Sequence, residues 1–174
     1  MYNIGDKIVY PMHGAGVIES IEEKKFLKQK QSYYIMRMPI GDMKVMIPVG
    51  NTDEIGIRSV IDKEHACGVI KYFGELKADV NENWNKRYRE NMIKIRSGDI
   101  LEVLDVVKSL MLRDKLRGLS TSERKMLNNA KQIVISELVL SQAAVYEEIE
   151  ALMDKVIEEE SAQNQAAEAE ASDA

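Results

Sequence analysis

Trp84-Asn-Lys-Arg-Tyr-Arg-Glu-Asn-Met-Ile-Lys-Ile-Arg96 gathers the only tryptophan of a 174-residue chain together with five basic residues and a single acid, in a protein whose net charge is −5. An amphipathic ring flanked at helical spacing by Lys86, Arg87 and Arg89 has the chemistry of a wedge into a nucleic-acid groove. The cations hold phosphates, and the apolar face replaces a base's stacking partner. The same residues also describe a core tryptophan whose helix shows a solvated basic face, and composition and spacing alone favour that plainer reading.

The charge is unevenly laid out. Residues 1–83 carry 11 basic and 12 acidic side chains, residues 84–131 carry 12 and 6, and residues 132–174 carry 1 and 11. Phosphate binding needs a local basic field rather than a basic protein, so an overall pI of 5.2 leaves the middle third as a candidate nucleic-acid surface. The acidic end reads as a solvating tail.

The rest of the chain must position that segment. Its length suits one medium domain or two small ones. It has neither a run of eighteen apolar residues nor a basic leader ahead of an apolar stretch, so a cytoplasmic protein without membrane contact is expected. Cys67 is the only cysteine and cannot form an internal disulfide; between Ala66, Gly68 and Val69 it reads as a small buried thiol.

The hydrophobic period changes near residue 61. Before it, residues 6–11 and 16–23 are short β-type runs separated by Met12-His-Gly-Ala-Gly16, whose glycines permit the positive φ of a tight connection, and they predict a hairpin. Lys28-Gln-Lys-Gln-Ser32 reads as a polar turn before strand 33–38, and Gly41-Asp42 as a turn before strand 43–48. Four or five short strands in about sixty residues suggest a small SH3- or Tudor-like β-barrel over residues 1–61. About half of Met36, Met38, Met43 and Met46 should be core by strand alternation.

From Asp62, apolar residues recur three and four apart, as in Ile93, Leu101, Leu104, Val107, Leu110 and Met111, so residues 62–158 should form an all-α bundle. The fold class is therefore α+β in two domains. Ser97-Gly98 closes one helix and Asp99 caps the next; Gly118 closes that one, and Ser120-Thr-Ser-Glu123 is a capping box. Helices are expected at 62–76, 80–96, 99–117, 120–141 and 143–158. Residues 159–174, rich in Ala, Glu, Gln and Ser, should be a disordered acidic tail.

No catalytic constellation stands out. His13 and His65 lie in different expected domains with no Cys or His at ligand spacing, and there is no Gly-rich loop followed by Lys-Ser/Thr for a nucleotide. His13 reads as a turn residue and His65 as a first-helix residue. Glu22-Glu23 and Glu158-Glu-Glu160 read as exposed charge runs. Neither an enzyme, nor a metal site, nor a cofactor is expected.

Ile4-Gly-Asp-Lys-Ile-Val-Tyr-Pro-Met-His-Gly-Ala-Gly-Val-Ile18 closely resembles the opening of the CarD family of bacterial transcription regulators, and Gly41-Asp-Met-Lys-Val-Met-Ile-Pro48 resembles its second strand motif. The resemblance runs on through Asn83-Trp84-Asn-Lys-Arg-Tyr88, Ser97-Gly-Asp99, Arg113-Asp114, Gly118-Leu-Ser120 and Lys125-Met-Leu127, and so spans about residues 1–158. The first motif is shared with the transcription-repair coupling factor, a large translocase; this chain has no helicase motif, and the helical motifs decide for the stand-alone regulator. The resemblance implies that the barrel binds the β subunit of RNA polymerase, partly by strand pairing at a sheet edge. It implies that the helical domain meets promoter DNA at the upstream edge of the transcription bubble, near the −10 element. Trp84 would be the wedge there, with Lys86, Arg87, Arg89, Arg124 and Lys125 on the backbone. Family members carry arginines at two polymerase-facing positions that here hold Lys24 and Met46, so Lys24, Phe26 and Met46 are expected at a more apolar polymerase contact. A DNA-binding architectural protein acting without polymerase, and an adaptor whose basic face meets an acidic protein, make up the alternatives. A dimer is not demanded, and a monomer is expected.

Overall fold

The computed structural model describes residues 1–78 and 83–174. The expected start of the second helix, at residue 80, lies outside the described residues. The elements are β1 (Lys7–Tyr10), β2 (Gly14–Phe26), β3 (Gln29–Arg37), β4 (Lys44–Pro48), α1 (Thr52–Ile55), β5 (Arg58–Ser59), α2 (Lys63–Glu75), α3 (Trp84–Arg96), α4 (Ile100–Leu116), α5 (Thr121–Leu140) and α6 (Tyr146–Asp173).

The strands form one antiparallel sheet in the order β4-β3-β2-β1-β5. It is open, which corrects the expected barrel. β5 is only two residues long and pairs with β1 alone, so among the described residues nothing joins it to β4. The apolar face that a barrel would hide against itself is covered instead by Tyr2, Val49 and Ile55, packed on Ile8, Ile18, Tyr34, Met36, Met38, Ile47 and Ile57. Met36 and Met38 are core; Met46 faces solvent on β4, on the side opposite buried Ile47, and Met43, in the turn before β4, is exposed as well.

The β1–β2 hairpin forms, with Tyr10 opposite Gly14. Its glycines serve two different ends. Gly14 has φ +115° and lies against α5, whereas a Cβ on Gly16 would sit 2.5 Å from Met36 Cγ and 2.7 Å from the Arg37 carbonyl, so Gly16 is there for close packing. His13 occupies the turn, its ring 4.3 Å from that of Tyr10, and burial pushes its pKa down. A bulge between Ile18 and Ser20 sets Glu19 beside Arg37 and Lys44, 2.9 Å from the latter's Nζ.

Strands β2 and β3 run on to Phe26 and Gln29, further than the polar stretch Lys28–Ser32 suggests, and turn at Leu27 and Lys28 with φ +46° and +67°. Positive φ at both turn residues is the geometry that matches strand twist, and Asn-Gly suits it far better than Leu-Lys. Leu27→Asn with Lys28→Gly should therefore stabilise the fold by roughly 1 kcal/mol in urea denaturation. No gain would mean that the exposed Leu27 makes contacts that offset its backbone.

The helices pack on a second core centred on Val103, Leu104, Val107 and Leu110 of α4 and Ala130, Val134 and Leu138 of α5. Their caps follow the expected punctuation: Asp99 accepts from the Leu101 and Glu102 amides, and Ser120 accepts from the Glu123 amide at 3.2 Å. Two apolar positions depart from the expected stripe, since Ile93 and Leu101 are exposed. Cys67 is also exposed, a further correction: Ala66 and Val69 form the buried face of α2, and the thiol points away from it. His65 lies in the first turn of α2, bonded to its cap Asp62.

The expected disordered tail is replaced by helix, because α6 continues to Asp173. Lys108 is fully buried and donates to the Phe73 carbonyl at 2.8 Å, with Glu160 Oε1 2.6 Å away; Ser161 is buried one residue on. With α6 anchored that far, the Ala- and Glu-rich residues beyond need only propagate a helix, not nucleate one.

Sheet and bundle meet along α5. The Ala15 amide donates to Ser136 Oγ at 2.9 Å, Lys7 Nζ donates to the Leu140 carbonyl at 2.9 Å, and Arg58 pairs with Glu137.

Candidate nucleic-acid interface

Asn83 caps α3 by accepting the Lys86 amide, which places Trp84 in the helix's first turn. The residue remains 42% exposed. The ring stacks on Tyr88 at 5.2 Å between centroids and 18° between planes, and Nε1–H donates to Ser120 Oγ at 3.3 Å. The tryptophan therefore lies where the N-termini of α3 and α5 adjoin, both of which carry positive dipole ends. Beside it an open hollow of about 440 Å³ is lined by Tyr88, Arg89, Met92, Ile93 and Arg96.

The basic residues divide. Lys86 and Arg89 are exposed on α3; Lys86 Nζ stands a loose 3.8 Å from Glu90. Lys125 is exposed on α5 and lines a neighbouring groove with Tyr88 and Met92. Among the described residues Arg89, Arg96 and Lys125 have no ion pair. Arg124, one residue away, turns from this cluster: its guanidinium takes both oxygens of Asp114 at 3.3 and 3.0 Å, and Asp154 and Glu158 share that hollow.

Arg87 is not on the exposed face. It is buried, and its Nε donates to Glu123 Oε1 at 2.6 Å, where Glu123 is 1% exposed. The side chain that the capping-box pattern would send back to the helix start is thereby drawn to a buried guanidinium, the stronger partner. The ion pair ties α3 to the head of α5, close to the Trp84–Ser120 hydrogen bond.

On the sheet, Lys24 Nζ lies 3.6 Å from Met46 Sδ, and Phe26, two residues along β2 and so on the same face, is 72% exposed. The outer edge of β4, Lys44–Pro48, is unpaired among the described residues.

Two family models match, one described as CarD-like/TRCF RID domain over residues 2–61 and one as CarD, C-terminal domain over residues 68–154. A relative from Bacillus subtilis (strain 168), named "Putative transcription factor YdeB", is 47% identical over 138 residues, which are 79% of this chain and 90% of that protein. The chain belongs to the CarD family. As a member of a non-enzymatic family of transcription factors, this CarD-like protein is a regulator rather than an enzyme. A solution structure of the 72-residue N-terminal domain of Myxococcus xanthus CarD is similar at 32% identity over 34% of this chain and 79% of that one, with a TM-score of 0.30.

Tyr88, Ser120 and Arg96 complete the CarD-like chain's tryptophan surface and were not singled out by sequence. Ser120 was legible only as a cap, and its second role depends on a partner 36 residues away. Among the described residues no cluster could hold a metal ion, and no helix is long and apolar enough to cross a membrane.

Proposed function

We propose that this protein binds the β subunit of RNA polymerase through the β4 edge and the Lys24, Phe26 and Met46 face, and stabilises the open promoter complex by wedging Trp84 into DNA at the upstream edge of the bubble near the −10 element. The observation that carries this reading is Trp84 itself: a large ring held half-exposed by Tyr88 and Ser120 beside Arg89, Arg96 and Lys125, which have no ion pair among the described residues. Lys86, Arg89 and Lys125 supply phosphate contacts around it, and Arg124 reaches the backbone only when its guanidinium leaves Asp114. Arg87 contributes by holding the helix, its charge being taken up by Glu123.

Wedging a splayed junction raises the cost of closing it, so the open state gains population without any base being read. No nucleotide or metal enters this scheme. The protein acts as a cytoplasmic monomer, and the sheet-bearing residues 1–61 and the helical residues 62–158 divide the two partners between them.

The test is open-complex lifetime on a promoter with the cognate polymerase. Wild type should lengthen it, and Trp84→Ala should remove most of the gain while thermal melting shows a folded protein. No effect of wild type would reject the reading in favour of an adaptor. Met46→Glu should weaken capture of polymerase, and unchanged capture would displace Met46 from the interface.

A further inference from the structure

Arg58 sits on β5, paired with Val9 of β1, and its side chain leaves the sheet to enter the helical half. Nη1 and Nη2 donate to the two oxygens of Glu137 at 2.6 and 2.9 Å, and Nε and Nη2 donate to the Gly98 carbonyl at 3.2 and 2.9 Å. Glu137 is 1% exposed and also accepts the Ile61 amide at 3.1 Å, at the entry to α2. A single guanidinium thus joins the sheet to two places in the bundle.

Those two places are the far ends of the helices that hold Trp84. Gly98 follows the C-terminus of α3, whose first residue is Trp84, and Glu137 lies on α5, whose head carries Ser120 and Glu123. We propose that Arg58 is a positioning residue that holds the tryptophan in register with the sheet, so that a protein docked by its sheet presents the ring at one fixed point. This rests on the function proposed above. The thirteen residues of α3 make a lever of about 20 Å, so a tilt of about 5° at Gly98 would move the ring by about 2 Å. The planar fork matters as much as the charge, since an ammonium, with three donors on one atom, cannot reproduce the two parallel bonds to the carboxylate and the two to the carbonyl.

The test uses the full chain in two forms: Arg58→Met with Glu137→Met, which removes the link without orphaning a buried carboxylate, and Arg58→Lys, which keeps the charge and loses the fork. Geometry is read first, without polymerase, from the distance distribution between spin labels at Lys44→Cys and Asn85→Cys in a Cys67→Ser background. A single narrow distance in the parent should broaden or shift in the double variant, with Arg58→Lys intermediate. Polymerase affinity and free-duplex affinity should stay within twofold of wild type, while the lifetime gain at saturating protein falls at least fivefold. A merely structural role would weaken both affinities in parallel, and saturation would restore the lifetime. An unchanged label distance, or full lifetime gain in the double variant, overturns the proposal. If wild type itself leaves lifetime unchanged, the polymerase reading fails, and the label distances still decide whether Arg58 sets the geometry.

Discussion

Glu123→Ala should cost about 3–5 kcal/mol in urea denaturation, the range for removing one partner of a buried ion pair. Arg87 is buried with the Glu123 carboxylate 2.6 Å from its Nε, so the substitution leaves a guanidinium in a site shaped for its counter-charge. It also removes the side chain that approaches the Ser120 hydroxyl, on which the Trp84 indole rests. The sole tryptophan reports the second effect directly, because its fluorescence should shift to the red as the ring becomes more solvated. Replacing both partners, Arg87→Met with Glu123→Met, should recover most of the stability, since what costs is the unpaired charge. A loss below about 1 kcal/mol for Glu123→Ala would show that the pair is solvated and does not hold α3.

Gly14→Ala should be nearly as damaging, at about 2–4 kcal/mol. At φ +115° the backbone is one that L side chains rarely adopt, and the added Cβ would lie 2.8 Å from Ser136 Oγ and 3.4 Å from Ile133 Cα. The hydroxyl it would displace accepts the Ala15 amide across the sheet–bundle junction. Gly41→Ala is the internal control, having φ +74° but nothing within 4 Å of the added carbon, and it should cost only about 1–2 kcal/mol. Equal losses at the two positions would mean that the approach of β2 to α5 contributes nothing beyond backbone conformation.

Much of the architecture could be read from neighbours in sequence. The change of period near residue 61, the Ser97-Gly98-Asp99 punctuation and the Ser120 cap depend on residues within a turn or two of one another, and the structure places strands, helix ends and caps accordingly. The helical tail departs from the expected disorder for a related reason: its composition lacks a core, and its helix starts from an anchor at Lys108 and Glu160, 52 residues apart. The open sheet departs from the expected barrel because closure needs two edges distant in sequence to meet, and the two-residue β5 pairs with β1 alone.

For the candidate site, the sequence by itself determined the tryptophan, the local excess of positive charge and the caps that set α3 and α5, all of them properties of short spans. Only the tertiary structure decided which cations face solvent. Lys86 and Arg89 are neighbours of Arg87 along the same helix, and composition treats the three alike, but burial and charge pairing are settled by what lies across the gap. The Glu123 carboxylate claims Arg87, Asp114 claims part of Arg124, and the Ser120 hydroxyl holds the indole half in water. Desolvation and ion pairing fall off over a few ångströms, so they follow proximity in space, and helical period alone cannot supply it.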